Sequence, residues 1–180
     1  MSLAESILGN PELIGQVAQH FGLGRNEARA GVEALLPGLA RGLERNAARP
    51  GGLESLLGAL RSGGHDRYLD EPHTLGEPST RADGNAILGH VFGSKDVSRN
   101  VAGRAARASG LDGSVLKQML PIVAAMAMGA LSKQQGAGGT VADARSAGGG
   151  SAMDALTSFL DADRDGSVLD DVLNLAQKFL

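Results

Sequence analysis

Apolar residues recur at the spacing of an α-helix along most of the chain, and glycines separate the successive stripes. The clearest stripes occupy residues 13–21, 32–43, 53–60, 116–131 and 168–179. Residues at positions i, i+3, i+4 and i+7 share one face of a helix, so each stripe predicts a helix with a buried face. The pattern therefore predicts an all-α protein.

Individual residues mark where several of these helices begin or end. Gly22 and Gly110 each follow an apolar stripe and are expected to stop a helix. Ser94 is expected to cap a helix over residues 95–108, and Asn26 to cap the helix that carries residues 32–43. In the 95–108 helix, the residues predicted to face inward are Val97, Val101, Ala105 and Ala108.

Short motifs repeat in the same order in the two halves of the chain. Ile7-Leu8-Gly9 corresponds to Ile87-Leu88-Gly89, Gly22-Leu23 to Gly110-Leu111, and Leu36-Pro37 to Leu120-Pro121. Self-similarity of this kind indicates a duplicated three-helix unit. The predicted organisation is a first helical unit over residues 1–64, a connector over 65–84, a second helical unit over 85–135, a Gly/Ala-rich linker over 136–150, and a C-terminal helix pair with an Asp-rich loop over 151–180.

The composition agrees with this fold and excludes several kinds of site. The apolar content is 42% and rests mainly on Leu, Ala and Val, whereas aromatic residues make up only 3%, which favours helices. The chain has no cysteine, so disulfides, thiolate zinc sites and cysteine catalysis are excluded. The formal net charge of −3 provides no overall attraction to nucleic acid or to an acidic membrane.

The longest apolar run covers residues 119–131 and contains Pro121. A run of this length is too short to cross a bilayer, so it predicts a buried helix rather than a membrane span. The N-terminal residues lack the basic and apolar regions of a signal peptide. We therefore expect a cytoplasmic location.

An aspartate-rich loop near the C-terminus has the spacing of the first half of an EF-hand calcium loop. Asp161, Asp163 and Asp165 match ligand positions 1, 3 and 5, and Gly166 falls at the position of the sharp turn. Ca²⁺ requires several oxygen ligands, which alternate aspartates between two helices would supply. The loop thus indicates a calcium site.

The second half of the same loop departs from the EF-hand pattern. The backbone carbonyl of Ser167 would serve at position 7, but Val172 stands where a bidentate glutamate is expected. Asp170 and Asp171 could replace that glutamate in a shortened loop. Alternatively, Ser167 and Asp170 form a capping box, and the acidic residues complement the dipole of the last helix.

The helix over residues 95–108 is rich in basic side chains. Arg99, Asn100, Arg104 and Arg107 would form a recognition helix for DNA if this region had a helix-turn-helix arrangement, with Lys95 beside them. Basic residues on a helix more often form only its solvated face, and the chain is acidic overall. DNA binding is therefore an alternative function rather than the preferred one.

No arrangement typical of a catalytic site is visible in the sequence. The chain contains neither a Gly-x-Ser-x-Gly nucleophile elbow nor a phosphate loop in the correct order. None of the four histidines has the spacing of a metal-ligand motif, and the connector that holds His65, Asp66, Asp70 and His73 is interpreted as a solvated loop. We therefore predict that the protein is not an enzyme.

Four motifs of the second unit carry a family resemblance. They are Ile87-Leu88-Gly89-His90-Val91-Phe92-Gly93, Ser109-Gly110-Leu111, Leu120-Pro121 and Gly129-Ala130-Leu131. Together they resemble the signature of the bacterial YidB-like family of uncharacterised proteins, and the acidic segment 161–171 is similar to the ends of many members. The resemblance is strongest over residues 84–135. It implies an all-helical, homeodomain-like fold and no established activity.

These observations favour a non-catalytic module for protein interaction or oligomerisation. Three methionines, Met119, Met126 and Met128, lie on the wide apolar face of the 114–132 helix, and their flexible side chains suit an adaptable interaction surface. The same methionines could instead be ordinary core residues. The partner would be another protein or a second copy of this chain, and calcium at the Asp loop would be a structural or modulatory ligand.

Overall fold

The computed structural model describes residues 2–136 and 149–160, and the regular elements in this part of the chain are all helices. In chain order, the α-helices are α1 (Leu3–Leu8), α2 (Pro11–Phe21), α3 (Arg25–Ala47), α4 (Gly52–Ser62), α5 (Arg67–Asp70), α6 (Pro78–Phe92), α7 (Lys95–Ser109), α8 (Gly113–Gly136) and α9 (Gly149–Leu160). A 3₁₀ helix, Pro72–Gly76, lies between α5 and α6. The prediction of an all-α fold is confirmed.

Helix α8 lies at the centre of the bundle. Every residue from 119 to 131 is buried, so α8 has no solvent-facing side over this stretch. Helices α1, α3, α4, α5, α6 and α7 pack against it. A helix that is apolar on all sides must be enclosed by other elements, and the prediction of a buried helix here is confirmed.

The full length of α8 is greater than that of its apolar run. Over Gly113–Gln134 it is long and apolar enough to cross a membrane, but 78% of its most apolar window is buried inside the protein. Burial of that extent is the behaviour of a core helix and is consistent with a soluble protein. The cytoplasmic location stays a prediction.

The order of the helices is similar in the two halves of the chain. In each half, a long helix that contains a proline follows a helix that ends at a left-handed glycine. Gly22 (φ 65°) ends α2 and Gly110 (φ 74°) ends α7, while Pro37 lies inside α3 and Pro121 inside α8. Glycine suits this conformation because it lacks a Cβ. Buried residues from all described elements form one cluster, so the boundaries between the predicted units stay predictions, as does the homeodomain-like arrangement.

Glycines let α6 approach both long helices closely. A Cβ atom on Gly84 of α6 would overlap the backbone carbonyl of Pro121, so the backbones of α6 and α8 meet at this point. A Cβ atom on Gly42 of α3 would lie 2.6 Å from the side chain of Val91. Because protein interiors are close-packed, neither position has room for a side chain. These two contacts hold α6 against α3 and α8.

The interpretation of residues 65–84 as a solvated connector is wrong. This segment contains α5, the 3₁₀ helix and the first turns of α6. Tyr68 is fully buried, and His65 is only 9% exposed. The buried hydroxyl of Thr80 donates a hydrogen bond to the carbonyl of Thr74 (2.6 Å), which fixes the start of α6 against the 3₁₀ helix.

A buried tyrosine ties α5 to α6. The Tyr68 hydroxyl hydrogen-bonds to the carboxylate of Asp83, and Arg67 donates to both groups at 2.8 and 2.9 Å. Burial raises the pKa of Tyr68, and the hydrogen bond to Asp83 raises it further. Because a buried hydroxyl needs a partner, this network explains why a polar tip is tolerated in the core.

The start of α3 also differs from the prediction. Its N-cap is Gly24, whose amide donates to the carboxylate of Glu27 (2.8 Å). Asn26 lies inside the first turn, so the prediction that Asn26 caps this helix is wrong. The predicted cap at Ser94 and the predicted ends at Gly22 and Gly110 are confirmed.

Helix α9 belongs to the same core. It packs against α1 and α3 and buries Leu156, Phe159 and Leu160. The first helix of the predicted C-terminal pair therefore docks on the repeat. Residues 137–148 of the predicted linker, and all of residues 161–180, lie outside the described residues.

We predict opposite effects for two glycine substitutions in α6. Gly84→Ala should destabilise the protein by about 1–3 kcal/mol, because the added methyl forces α6 and α8 apart. Gly89→Ala, where nothing lies within 4 Å of the new Cβ, should stabilise it by up to about 1 kcal/mol through helix propensity. Urea unfolding of both variants measures the difference, and effects of equal sign would contradict the close contact.

We also predict that His65 weakens the fold in acid. Burial, reinforced by the charge of Arg67, lowers the pKa of His65 below 6.5, although Asp83 and Asp66 oppose the shift. The unfolded chain therefore takes up this proton more readily than the folded chain. The stabilising effect of keeping His65 neutral is complete above about pH 6.5 and is lost as the pH falls below that value. Urea unfolding between pH 7.5 and 5 should show a smaller loss of stability in His65→Gln than in the unmodified protein.

Candidate functional site

The turn between α6 and α7 places a lysine at the first position of α7. Gly93 adopts a left-handed conformation (φ 71°) and ends α6. The Ser94 hydroxyl then accepts a hydrogen bond from the amide of Val97 (3.3 Å), so α7 begins at Lys95. The N-terminus is the positive end of the helix dipole, and the ammonium group of Lys95 adds a second positive charge there. Both charges favour a bound anion at this position.

A groove of about 590 Å³ lies between α6, α7 and the first half of α8, and we call it the basic groove. Its floor contains the buried residues Leu88, Leu120 and Pro121. Its polar lining residues are Asn85, Ser94, Lys95, Ser98, Arg99 and Lys117, and Gly89 and Gly93 complete it. Apolar and cationic groups are thus available to the same ligand.

Three cations from two helices meet at this groove. Lys95 and Arg99 come from α7 and Lys117 comes from α8, and all three are exposed. Arg99 donates to Asp96 at 3.1 Å, in an exposed pair that contributes little to stability. None of the described lining residues is acidic. The lining of the groove therefore carries only positive charges.

The start of α8 positions Lys117. The carboxylate of Asp112 accepts a hydrogen bond from the amide of Ser114 (2.7 Å) at the first turn of the helix. Hydrogen bonds from the hydroxyl and amide of Ser114 hold the pKa of Asp112 below its ordinary value. One turn later, the carbonyl of Lys117 lacks its intrahelical donor, because Pro121 has no amide proton. This break in the helical hydrogen bonding lies beside the basic groove.

The four residues predicted to contact DNA all lie on the exposed side of α7. Arg99 lines the basic groove, whereas Asn100, Arg104 and Arg107 are exposed on α7 outside it. Two residues of α7 predicted to face inward do not, since Val97 is 37% exposed and Ala108 is also exposed. The buried face of α7 is instead formed by Ala102 and Ala105. The solvent-exposed face of α7 is therefore wider than the apolar pattern predicted.

The predicted calcium ligands lie outside the described residues. They are Asp161, Asp163, Asp165, Ser167, Asp170 and Asp171, and calcium binding by them stays a prediction. Within the part of the chain that the structure describes, no group of three His, Asp or Glu residues could hold a metal ion.

The methionines of α8 are core residues. Met119 and Met126 are fully buried and Met128 is almost so. They therefore offer no adaptable surface, and the interpretation of these methionines as core packing is confirmed.

Sequence reasoning missed Lys117 and Asn85 as members of the basic groove. Each lies on a different helix from the basic stripe of α7, so helical periodicity within one segment cannot associate them with it. The one local signal is Pro121, which marks a point where α8 departs from regular hydrogen bonding.

Residues 6–134 match the family described as "Bacterial protein of unknown function (DUF937)". The matched range spans almost all of α1 to α8, and so includes the basic groove. No curated protein and no solved structure matches the chain. The YidB-like resemblance is consistent with the family match, and the chain belongs to this bacterial family of unknown function.

Proposed function

We propose that the protein is a non-catalytic interaction module, and that its basic groove binds an acidic segment of a protein. The observation that carries this proposal is the convergence of Lys95, Arg99 and Lys117 beside an apolar floor. Carboxylates of a bound segment would face the three cations, and its apolar side chains would cover Leu88 and Leu120. Complementary charge at the rim and apolar contact at the centre are the usual arrangement of a protein interface.

The same observations favour a protein segment over nucleic acid. A DNA-binding surface needs cations distributed along the phosphate backbone, and most of its contacts go to phosphates. Here the cations cluster around a groove with an apolar floor, while Arg104 and Arg107 lie outside it. The formal net charge of −3 also provides no general attraction to DNA. DNA binding through Arg99, Asn100, Arg104 and Arg107 is the second candidate, supported by their exposure on one helix.

The chain itself contains a segment with the required chemistry. Residues 161–172 combine the apolar residues Val168, Leu169 and Val172 with five aspartates over residues 161–171. A second copy of the chain could therefore supply the acidic segment, and self-association would follow. Calcium bound to the same aspartates would neutralise part of their charge and weaken that association.

We predict that a synthetic peptide of residues 161–172 binds to the protein at low salt. Reversing the charges of the groove in Lys95→Glu/Lys117→Glu should weaken binding by at least about tenfold, through lost attraction and added repulsion. The matched control is Arg104→Glu/Arg107→Glu, which changes the net charge equally on the outer part of α7. Fluorescence polarisation measures the affinities at several salt concentrations.

Two results would contradict the proposal. The first is absence of peptide binding to the unmodified protein. The second is equal weakening by both double variants, together with salt-dependent binding of duplex DNA, which would favour the DNA-binding alternative. Light scattering of the full chain over a range of concentrations shows whether the groove variant also loses self-association.

We further predict saturable calcium binding by metal-stripped protein. The triple variant Asp161→Asn/Asp163→Asn/Asp165→Asn should lose this binding, because amides cannot replace the charge of the carboxylates. Calorimetric titration measures the heat, and thermal melting should show a raised midpoint only in the unmodified protein. Equal heats for the two proteins would assign the aspartates to helix capping instead.

A further inference from the structure

A narrow apolar surface lies between α4, α9 and the last turns of α8, and we call it the leucine seam. All but one of its described lining residues are leucine or phenylalanine, and none is charged. The lining residues are Leu53, Leu56, Leu57 and Leu60 of α4, Leu131 and Gln134 of α8, and Leu156 and Phe159 of α9.

The leucine seam is shallow. Its volume of about 10 Å³ is close to the smallest space that holds one water molecule, so the seam does not enclose a small ligand. It suits another apolar surface laid across it. Leu53 and Leu57, one turn apart on α4, are only partly buried, whereas Leu56 and Leu60 are buried. The described residues therefore cover the apolar stripe of α4 incompletely.

The helices on the two sides of the seam have different neighbours. Helix α4 packs against α3 and α8, and α9 packs against α1 and α3. A segment that lies along the seam would contact α4, α8 and α9 together. Burial of apolar area in this way would stabilise all three helices.

The chain continues from the edge of the seam. Phe159 lines the seam and α9 ends at Leu160, so residues 161–180 begin beside it. Residues 173–180 lie outside the described residues, and their sequence has the pattern of an amphipathic helix. At helical spacing, one half of the circumference would carry Asn174, Gln177 and Lys178, and the other half Leu173, Leu175, Ala176, Phe179 and Leu180.

The chain between α9 and this segment is long enough to return it to the seam. Residues 161–172 span up to about 40 Å when extended, whereas the 12 residues of α9 are about 18 Å long. A helix over residues 173–180 would measure about 12 Å, close to the rise of about 11 Å from Leu53 to Leu60 along α4. A segment of the same chain also has a much higher effective concentration at the seam than a second copy.

We propose that residues 173–180 of the same chain cover the leucine seam as an amphipathic helix. Short helices are marginal in water by themselves, so this one depends on an apolar surface to cover. Its apolar half packs against α4 and α9, and its polar half faces solvent. Residues 161–172, which carry the aspartates, connect α9 to the docked segment. The proposal is therefore independent of the basic groove and of calcium binding.

A spin label tests where the segment lies. The chain has no cysteine, so Lys178→Cys provides one position for a nitroxide, on the polar half of the segment. In methyl nuclear magnetic resonance of the full chain, the nitroxide should broaden the signals of Leu53 and Leu57. These signals should stay sharp in a mixture of spin-labelled protein with isotope-labelled protein that carries no nitroxide, because the contact is within one chain.

Two double serine variants of the full chain test the apolar contact. Leu173→Ser/Phe179→Ser should lower the hydrogen-exchange protection of the α4 amides at least about tenfold, because α4 loses apolar cover. The matched control, Asn174→Ser/Gln177→Ser, changes the polar half and should alter this protection by less than about twofold. Helix α2 contributes no residue to the seam, so its amides are the internal reference.

Three results would overturn the proposal. They are sharp Leu53 and Leu57 signals in the spin-labelled chain, broadening of these signals in the mixture, and equal protection of α4 in the two serine variants. Broadening in the mixture would assign the seam to a second copy of the chain, and broadening of Leu88 instead would place the segment in the basic groove. Binding of the 161–172 peptide is measured separately, so failure of one proposal does not imply failure of the other.

Discussion

The burial of α8 on all sides is the constraint on which the rest of the fold depends. A helix with one apolar face can be stabilised by one layer of partners, but a helix without a polar face needs a complete enclosure. Six helices supply that enclosure. Charged residues consequently lie outside the stretch 119–131, and α7 carries several of the basic ones on its exposed side. The basic groove lies where α6 and α7 meet the first half of α8, which includes exposed residues such as Lys117.

Glycine positions decide how close that enclosure can be. Gly84 brings the backbone of α6 against Pro121, and Gly42 admits Val91 and Phe92 beside α3. Contacts of this kind replace side-chain packing by direct approach of two helices, and they fix both the distance and the lateral position of α6. Cavities lie on both sides of this helix, with Leu88 and Gly89 lining one and Ile87 and His90 lining the other. Their shapes therefore depend on how accurately α6 is held.

Local signals explain which parts of the fold could be predicted from the sequence. Ser94, Gly22 and Gly110 act on the residues next to them, so a short stretch of sequence is sufficient to identify their roles. The first turns of α6 escaped prediction because their buried positions are Thr80 and Gly84, which contribute nothing to a hydrophobic stripe. The basic groove escaped prediction for a different reason. Lys117 joins Lys95 only through tertiary packing, which no single-segment pattern contains. The match to a family of unknown function covers the repeat but assigns no role to these residues.

The position of α8 within the chain has a consequence during synthesis. All six helices that pack against it precede it in the sequence, so they leave the ribosome before it does. Without these partners, a nascent segment with the length and apolar character of a membrane span would aggregate or be recognised by the machinery that inserts proteins into membranes. Here its packing partners are already outside the ribosome when the segment emerges. The order of the elements thus limits the time for which the long apolar stretch of α8 is in contact with water.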